Sequence, residues 1–241
     1  MRRVEIFPDK TALAAAAAEL FTKAAASSPG PFRVALSGGN TPRGLYALLA
    51  DESAPYRARI PWDKIHFFWS DERCVPPNNT ESNYKAANDS LLTRVPIRRE
   101  QVHRIPAELP DAAQAANSYE ETIKSEFQGS PTVFDWIFLG MGPDGHTASL
   151  FPGTKALAET KKLVASNWVE KFKAYRVTFT YPILNSAHNV LFLVAGPDKA
   201  DTAHKVLDEA PSAASPASLV LPSRGNLFWF LDKPAARRLK S

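Results

Sequence analysis

Short apolar runs alternate with helical patterns along the chain, and this alternation restricts the fold more than any other feature. Strands are predicted where apolar and aromatic residues run together, at residues 32–37, 64–70, 133–140, 174–181, 189–196 and 227–232. Helices are predicted at residues 9–27, from residue 42 onward, and at residues 80–92, 111–127 and 197–209. Buried strands separated by helices are typical of an α/β fold, with a mostly parallel sheet and helices on both faces.

Composition and charge argue against several classes of protein. The single cysteine, Cys74, excludes an intramolecular disulfide and favours a reducing compartment. The formal net charge of +4 suits a phosphorylated ligand, but acids are interleaved and no dense basic run indicates nucleic-acid binding. The first residues lack the apolar run of a signal peptide, and the alanines at 14–18 are soon followed by charges. We expect a cytoplasmic protein with neither a nucleic-acid nor a membrane partner.

Ligands of such folds bind beyond the carboxyl ends of the strands, which here are the loops after Ser37, Ser70, Gly140 and Gly196. The first loop is SGGNTP, and its candidate anion-binding residues are Ser37, Gly38, Gly39, Asn40 and Thr41. Thr41 is predicted to cap the next helix, with Pro42 at its first position. Glycine N–H groups beside a helix N-terminus bind phosphate, although an ordinary capped turn would have a similar sequence. The GK[ST] ending of a P-loop is absent.

Three charged residues, Asp71, Glu72 and Arg73, follow the aromatic strand that ends at Ser70. The planar guanidinium of an arginine suits a phosphate or a carboxylate. We expect Asp71 or Arg73 to contact the ligand, and the alternative is a surface cluster of salt bridges.

The loop GMGPDGH, which leads to His146, matches G-x-G-x-x-G and follows a strand. It is a poor dinucleotide motif, because the only acid near the required offset, Glu159, does not end a second strand. No second histidine lies nearby to complete a metal site, and the G-x-S-x-G of a serine hydrolase is absent. The pattern favours His146 as a general base, with Asp144 or Asp71 orienting its ring. A purely structural histidine is the alternative.

Two further cationic residues lie in the second half of the chain, one in a predicted strand and one at the start of a predicted helix. Arg176 lies within AYRVTFTY, and Lys199 begins the helix that follows AGPDK. Both side chains have the length and charge to reach a phosphate from their loops. Their spacing alone favours a solvated surface.

Five segments together resemble the 6-phosphogluconolactonase family: ALSGGNTPRGLYALL, FFWSDERCVPPNNTESNY, FDWIFLGMGPDGHTASLFPG, RVTFTYPILNSAHNVLFLVAG and the terminal FWFLD. The resemblance implies one Rossmann-like domain over residues 1–241 that hydrolyses 6-phospho-D-glucono-1,5-lactone, a sugar-phosphate lactone of the pentose phosphate pathway. It implies no cofactor and no metal, and a monomer is expected with a dimer left open. His146 falls on the catalytic histidine of the family. The positions implied for substrate or phosphate are Ser37, Gly38, Gly39, Asn40, Thr41, Arg43, Arg73, Gly142, Arg176 and Lys199.

One segment departs from the family pattern. The family often has prolines before Arg176, whereas this chain has EKFKAY. This departure leaves the direction of the Arg176 side chain open.

Three other functions compete with this interpretation. In the related glucosamine-6-phosphate deaminase family, the segment that begins at the histidine loop resembles GHIAFNEP, and its glutamate helps to open the sugar ring. This chain has GHTASLFP instead, with Phe151 at the position of that glutamate. The deaminase also tends to have DEY where this chain has DER. A sensor would bind a sugar phosphate without hydrolysing anything, and a nucleic-acid binder would be retained on DNA in a salt-dependent way.

Overall fold

A computed structural model of the protein describes residues 1–240. Its strands are β1 (Arg2–Phe7), β2 (Phe32–Leu36), β3 (Ile65–Trp69), β4 (Asp71–Arg73), β5 (Trp136–Leu139), β6 (Val164–Val169), β7 (Ala174–Phe179), β8 (Asn189–Val194) and β9 (Asn226–Asp232). Its α-helices are α1 (Lys10–Ala26), α2 (Asn40–Ala50), α3 (Asn83–Ser90), α4 (Ala112–Glu126), α5 (Tyr181–Ser186), α6 (Ala200–Asp208) and α7 (Lys233–Ala236). None of the helices in this part of the chain is both long and apolar enough to cross a lipid bilayer.

The central sheet has six strands in the order β1-β9-β8-β5-β2-β3, and every pairing in it is parallel. This confirms the predicted α/β class. A second, antiparallel sheet has the order β4-β7-β6. The sequence predicted β7 as a strand but not its departure from the central sheet, and it predicted neither β1 nor β6. The DER segment, predicted as a loop, forms the short strand β4.

Aromatic side chains join the layers on both sides of the central sheet. Phe21 of α1 lies 5.8 Å from the ring of Phe32 and 5.3 Å from that of Phe138. On the other side, Phe134 contacts Phe68 of β3 and Phe179 of the antiparallel sheet, with ring centroids 5.0 and 5.4 Å apart. Such rings bury large apolar areas, so the sheet is a rigid base for the loops at its ends.

Two helices begin as predicted and one does not. Asp9 caps α1, and Asp111 caps α4, each through a 2.8 Å bond from a backbone N–H to its carboxylate. The predicted Thr41 cap is wrong, because α2 begins at Asn40 with Gly39 at the cap position and no side-chain cap. The first turn of α2 therefore keeps its N–H groups free of intrahelical and capping acceptors.

The helix predicted for residues 80–92 is shorter than expected, because its start is fixed by a buried acid. Ser82 caps α3, and the Glu72 carboxylate accepts hydrogen bonds from Ser82 Oγ and from the N–H groups of Asn83 and Tyr84, each at 2.8 Å. Burial raises the pKa of Glu72, while these donors oppose that rise. The alternative of a surface salt-bridge cluster is wrong for Glu72, which is 3% exposed.

Candidate active site

A cavity of about 540 Å³ opens at the carboxyl ends of the central strands. The four loops singled out in the sequence meet there, because parallel strands place their carboxyl ends along one edge. The residues of these loops that line the cavity are Ser37, Gly38, Gly39, Asn40, Thr41, Asp71, Arg73, Gly140, Gly142, His146, Gly196 and Lys199. The lining residues that were not predicted from the sequence include Lys10, Asn83 and Asp232.

His146 stands at this cavity with its ring held on two sides. Its Nδ1 makes a short contact with Asp144 Oδ1, and its ring stacks on Phe151 with centroids 4.0 Å apart. Partial burial raises the pKa of Asp144, but hydrogen bonding and charge from His146 outweigh burial, so the pKa lies below its ordinary value. Asp144 therefore stays ionised at neutral pH and accepts from an Nδ1–H, which leaves the Nε2 lone pair available.

The loop that carries His146 folds back on itself instead of leading into a helix. The Gly142 N–H donates to the His146 carbonyl at 2.9 Å, and the Gly145 carbonyl accepts from Ala217 N–H at 2.9 Å. A Cβ on Gly142 would lie 2.0 Å from His146 Nδ1, so only glycine fits there. A dinucleotide loop would start a helix at this point, which supports the rejection of that function. Ala217, which donates the bond to the Gly145 carbonyl, is buried.

The other end of the cavity is formed by the start of α2 and by Asn83. A Cβ on Gly38 would lie 1.9 Å from Asn83 Oδ1, so the missing side chain of Gly38 makes room for the amide. Asn83 is 2% exposed, and neither its Oδ1 nor the buried Ser37 Oγ has a hydrogen-bond partner within the described residues. Buried polar atoms usually have partners, so this end of the cavity is suited to a polar ligand.

The Asp71 carboxylate is hydrogen-bonded to donors other than His146. Its carboxylate accepts from Ser149 Oγ at 2.6 Å and from Asn83 Nδ2 at 3.2 Å, and it is 7% exposed. Of the two acids considered for orienting the imidazole, Asp144 is the one in contact with it.

Three cations line the cavity: Lys10, Arg73 and Lys199. Lys199 has a side chain only 20% exposed and lies 3.0 Å from Asp198 Oδ2, so it is not the solvated surface residue that spacing alone suggested. Arg73 donates from Nη1 to the Glu81 carbonyl. Lys10 lies at the cavity because it comes soon after the carboxyl end of β1, a strand that was not predicted from the sequence.

Arg43 and Arg176 are not among the residues that line the cavity. Arg43 is exposed on α2. Arg176 faces Arg73 across the β4–β7 pair, and burial followed by the charge of Arg73 lowers its pKa. Its guanidinium lies 5.4 Å from the ring centroid of Phe172, which belongs to the divergent EKFKAY segment. That segment thus supplies a cation–π contact to Arg176.

Asp232 joins the end of β9 to two neighbouring turns. Its carboxylate accepts from Gly196 N–H at 3.1 Å and from Ala235 N–H at 2.8 Å. An acid at the end of a strand was visible in the sequence, but its partners lie in a different loop and in a helix that was not predicted. The contacts hold the loop that carries Lys199 against the cavity.

Comparisons with known proteins agree with this arrangement. A sequence model of the glucosamine-6-phosphate isomerases/6-phosphogluconolactonase family matches residues 8–229. The chain belongs to this family. It is 41% identical to the 6-phosphogluconolactonase of a Nostoc species over 99% of this chain and 98% of that protein. It is also 41% identical to the Synechocystis 6-phosphogluconolactonase, over 91% and 89% of the two chains. The solved 6-phosphogluconolactonase of Trypanosoma cruzi superposes with a TM-score of 0.86 at 28% identity, over 100% of this chain and 98% of that one.

Proposed function

We propose that this family member hydrolyses 6-phospho-D-glucono-1,5-lactone to 6-phospho-D-gluconate in the pentose phosphate pathway. The observation that carries the proposal is one cavity with the His146–Asp144 pair and the uncapped start of α2. A helix N-terminus with free N–H groups binds a phosphate, and a carboxylate-oriented imidazole activates water. The names of the relatives at 41% identity support the same substrate.

In this proposal the phosphate of the lactone binds the Ser37–Thr41 loop and the Lys199 ammonium. The free N–H groups of the first turn supply donors, and the positive end of the helix dipole adds attraction. Lys10 gives a further cation at the same cavity. Arg43 and Arg176, which do not line the cavity, act only indirectly, with Arg176 fixing the position of Arg73 opposite it.

The chemical step assigns one proton transfer to His146. Its Nε2 takes a proton from water, and the water oxygen bonds to the lactone carbonyl carbon. The bond from that carbon to the ring oxygen then breaks, and the ring oxygen takes the proton back from the imidazolium. Asp144 stabilises the imidazolium and holds the ring orientation, as a carboxylate does beside a catalytic histidine. No covalent intermediate and no metal enters this sequence.

The tetrahedral intermediate needs donors for its oxyanion. The N–H groups of Gly142 and Gly145 are already donated within their own loop, at 2.9 and 3.1 Å. We therefore assign the oxyanion to the Arg73 guanidinium, which lines the cavity on the β4 side.

The deaminase alternative is disfavoured by the ring that stacks on His146. The deaminase needs an acid at this position to move protons during ring opening, and Phe151 has no titratable group. The stacked phenyl ring instead limits access of water to one face of the imidazole.

Hydrolysis of freshly generated lactone, coupled to 6-phosphogluconate dehydrogenase, tests the function. We expect acceleration above the spontaneous background by the wild type, and a loss of roughly 100-fold or more in His146→Ala. Asp144→Asn should lose activity by about 10- to 100-fold, because the ring loses its anionic acceptor. Asp71→Asn is the matched control for the second acid, and we expect a smaller loss.

The outcome of this assay distinguishes between candidate bases and between candidate reactions. If His146→Ala retains full acceleration, the lactonase stands but the base is a different residue. A wild type that does not accelerate lactone opening would overturn the lactonase function, and release of ammonia from glucosamine 6-phosphate would then identify a deaminase.

The monomeric, single-domain organisation and the cytoplasmic location stay predictions. We expect full activity from the monomer, with a dimer as the alternative. Size-exclusion chromatography with light scattering at assay concentrations tests this expectation.

A further inference from the structure

Two histidines and a glutamate meet far from the cavity, at the opposite end of the central sheet. His66 lies near the start of β3, beside Arg33 at the start of β2, whereas the cavity lies beyond the ends of these strands. His66 Nδ1 is 3.1 Å from His103 Nε2. Glu126 Oε2 lies 3.5 Å from the first nitrogen and 3.7 Å from the second.

The three distances, 3.1, 3.5 and 3.7 Å, lie within about 0.4 Å of the edges of a metal coordination tetrahedron. Zinc–nitrogen and zinc–oxygen bonds of about 2.0–2.1 Å at tetrahedral angles place ligand atoms about 3.3–3.4 Å apart. We propose that His66, His103 and Glu126 form a Zn²⁺ site with two imidazole nitrogens, one carboxylate oxygen and a water at the fourth position. The proposal concerns a site apart from the lactonase chemistry, and its test does not depend on activity.

The backbone holds the two imidazoles in place before any metal arrives. The His103 N–H donates to the Phe67 carbonyl at 2.8 Å, which fixes the segment of His103 beside β3. The His103 ring also stacks on Phe68, with centroids 4.6 Å apart. Burial lowers the pKa of His66 and of His103, so both rings are neutral at pH 7 and offer lone pairs. A site built on rigid elements loses little entropy when the metal binds.

Two neighbouring cations, Arg33 and Arg98, act on His66 and weaken the site without blocking it. Arg33 donates from Nη2 to the Glu126 carbonyl oxygen at 3.0 Å, and its guanidinium lies 4.5 Å from the Phe127 ring centroid. These contacts keep Arg33 away from the carboxylate, although its charge still opposes a divalent ion. Three protein ligands and this repulsion predict a dissociation constant on the order of 1–10 µM, weaker than a four-ligand structural zinc site.

The alternative to a metal is a hydrogen bond between two neutral rings, in which one nitrogen donates to the other. Such a bond places no requirement on Glu126, because its oxygen is then only a nearby acceptor. The two arrangements therefore differ in whether the carboxylate takes part in binding.

Isothermal titration of tag-free, EDTA-treated protein with ZnCl₂ tests the site. We expect one equivalent of zinc bound by the wild type, and binding weakened about 100-fold or more in His66→Ala, His103→Ala and Glu126→Gln. His146→Ala should keep the wild-type affinity, since it removes a histidine that lies in the cavity and not at the proposed zinc site. His204→Ala is the matched control, because His204 Nδ1 contacts Asp208 Oδ2 at 2.7 Å in a pair that lacks a third ligand.

Stability and spectroscopy keep the test decisive if a histidine variant unfolds. Zinc at about 100 times its dissociation constant should raise the Tm of the wild type by roughly 5–10 °C and leave that of Glu126→Gln unchanged. Bound Co²⁺ should give the intense visible absorption of tetrahedral coordination. The proposal is overturned if wild-type protein binds no zinc in this range, if Glu126→Gln binds it equally well, or if His146→Ala abolishes binding.

Discussion

Gly142→Ala tests how closely activity depends on the position of His146. The added Cβ would lie 2.0 Å from both Cε1 and Nδ1 of His146, and 2.8 Å from Asp144 Oδ1. Ordinary contacts between such atoms are about 3.5 Å, so the imidazole must withdraw by about 1.5 Å or rotate away from Asp144. Either movement breaks the contact between ring and carboxylate.

A displacement of about 1 Å in a catalytic group lowers the rate about 100-fold. We therefore expect kcat/KM for the lactone to fall by at least that factor, which corresponds to about 2.7 kcal/mol of transition-state stabilisation. KM should change little, because the phosphate end of the cavity is formed by other loops. The overpacking should also lower stability by about 1–3 kcal/mol, which leaves the protein folded at 25 °C.

The assay is the coupled lactone hydrolysis, with circular dichroism at the same temperature to establish that the variant is folded. Gly44→Ala is the matched control, since a Cβ on Gly44 meets no atom within 4 Å. That variant should keep wild-type kcat/KM. A folded Gly142→Ala protein with more than about a third of the wild-type kcat/KM would refute the assignment of His146 as the base in this orientation.

Two further predictions concern the phosphate end of the cavity and the histidine pair. Lys199→Ala should raise KM by about 10- to 100-fold with a small change in kcat, because a charge-assisted bond to the phosphate is lost from the ground state and the transition state alike. Lys205→Ala, at an exposed position, is the control. An equal rise in KM in both variants would contradict the role of Lys199 in phosphate binding. Burial lowers the pKa of His66 and His103, so the unfolded chain binds more protons below about pH 6.5, and stability is full above that pH and falls as pH falls. In EDTA, the urea midpoint should fall less between about pH 7.5 and 5.5 for His103→Gln than for the wild type. An equal fall in both proteins would contradict the predicted loss of stability from protonation of the histidine pair.

The interior strands of the central sheet could be predicted from sequence because they are buried on both faces. Residues 190–194 and 227–231 are continuous apolar runs, and such runs are typical of interior parallel strands. β1 was missed because RRVEIF is mostly exposed, with its charges at the edge of the sheet. The direction of β7 was not predictable, since a short run of apolar residues is compatible with both parallel and antiparallel pairing.

The candidate site was predictable to the extent that its residues sit in loops directly after strands. His146, Arg73 and the glycines of the first loop fit that rule. Asn83 does not, because it belongs to a helix start and reaches the cavity through its bond to the Asp71 carbonyl at 2.9 Å. The Thr41 cap failed for a related reason. The helix begins one residue earlier than Thr41, at Asn40, so the N–H groups of its first turn lack a side-chain cap and remain available to a ligand.

The order of strands in the central sheet has a consequence for how the chain is made. β1 has a single neighbour, β9, and Arg2 pairs with Leu227. During translation β1 therefore remains unpaired, and one apolar edge of β8 also stays unpaired until residues 226–232 have been synthesised. An exposed edge of this kind invites pairing with other nascent chains. We expect dependence on chaperones to be greatest in this interval and to end when β9 inserts between β1 and β8.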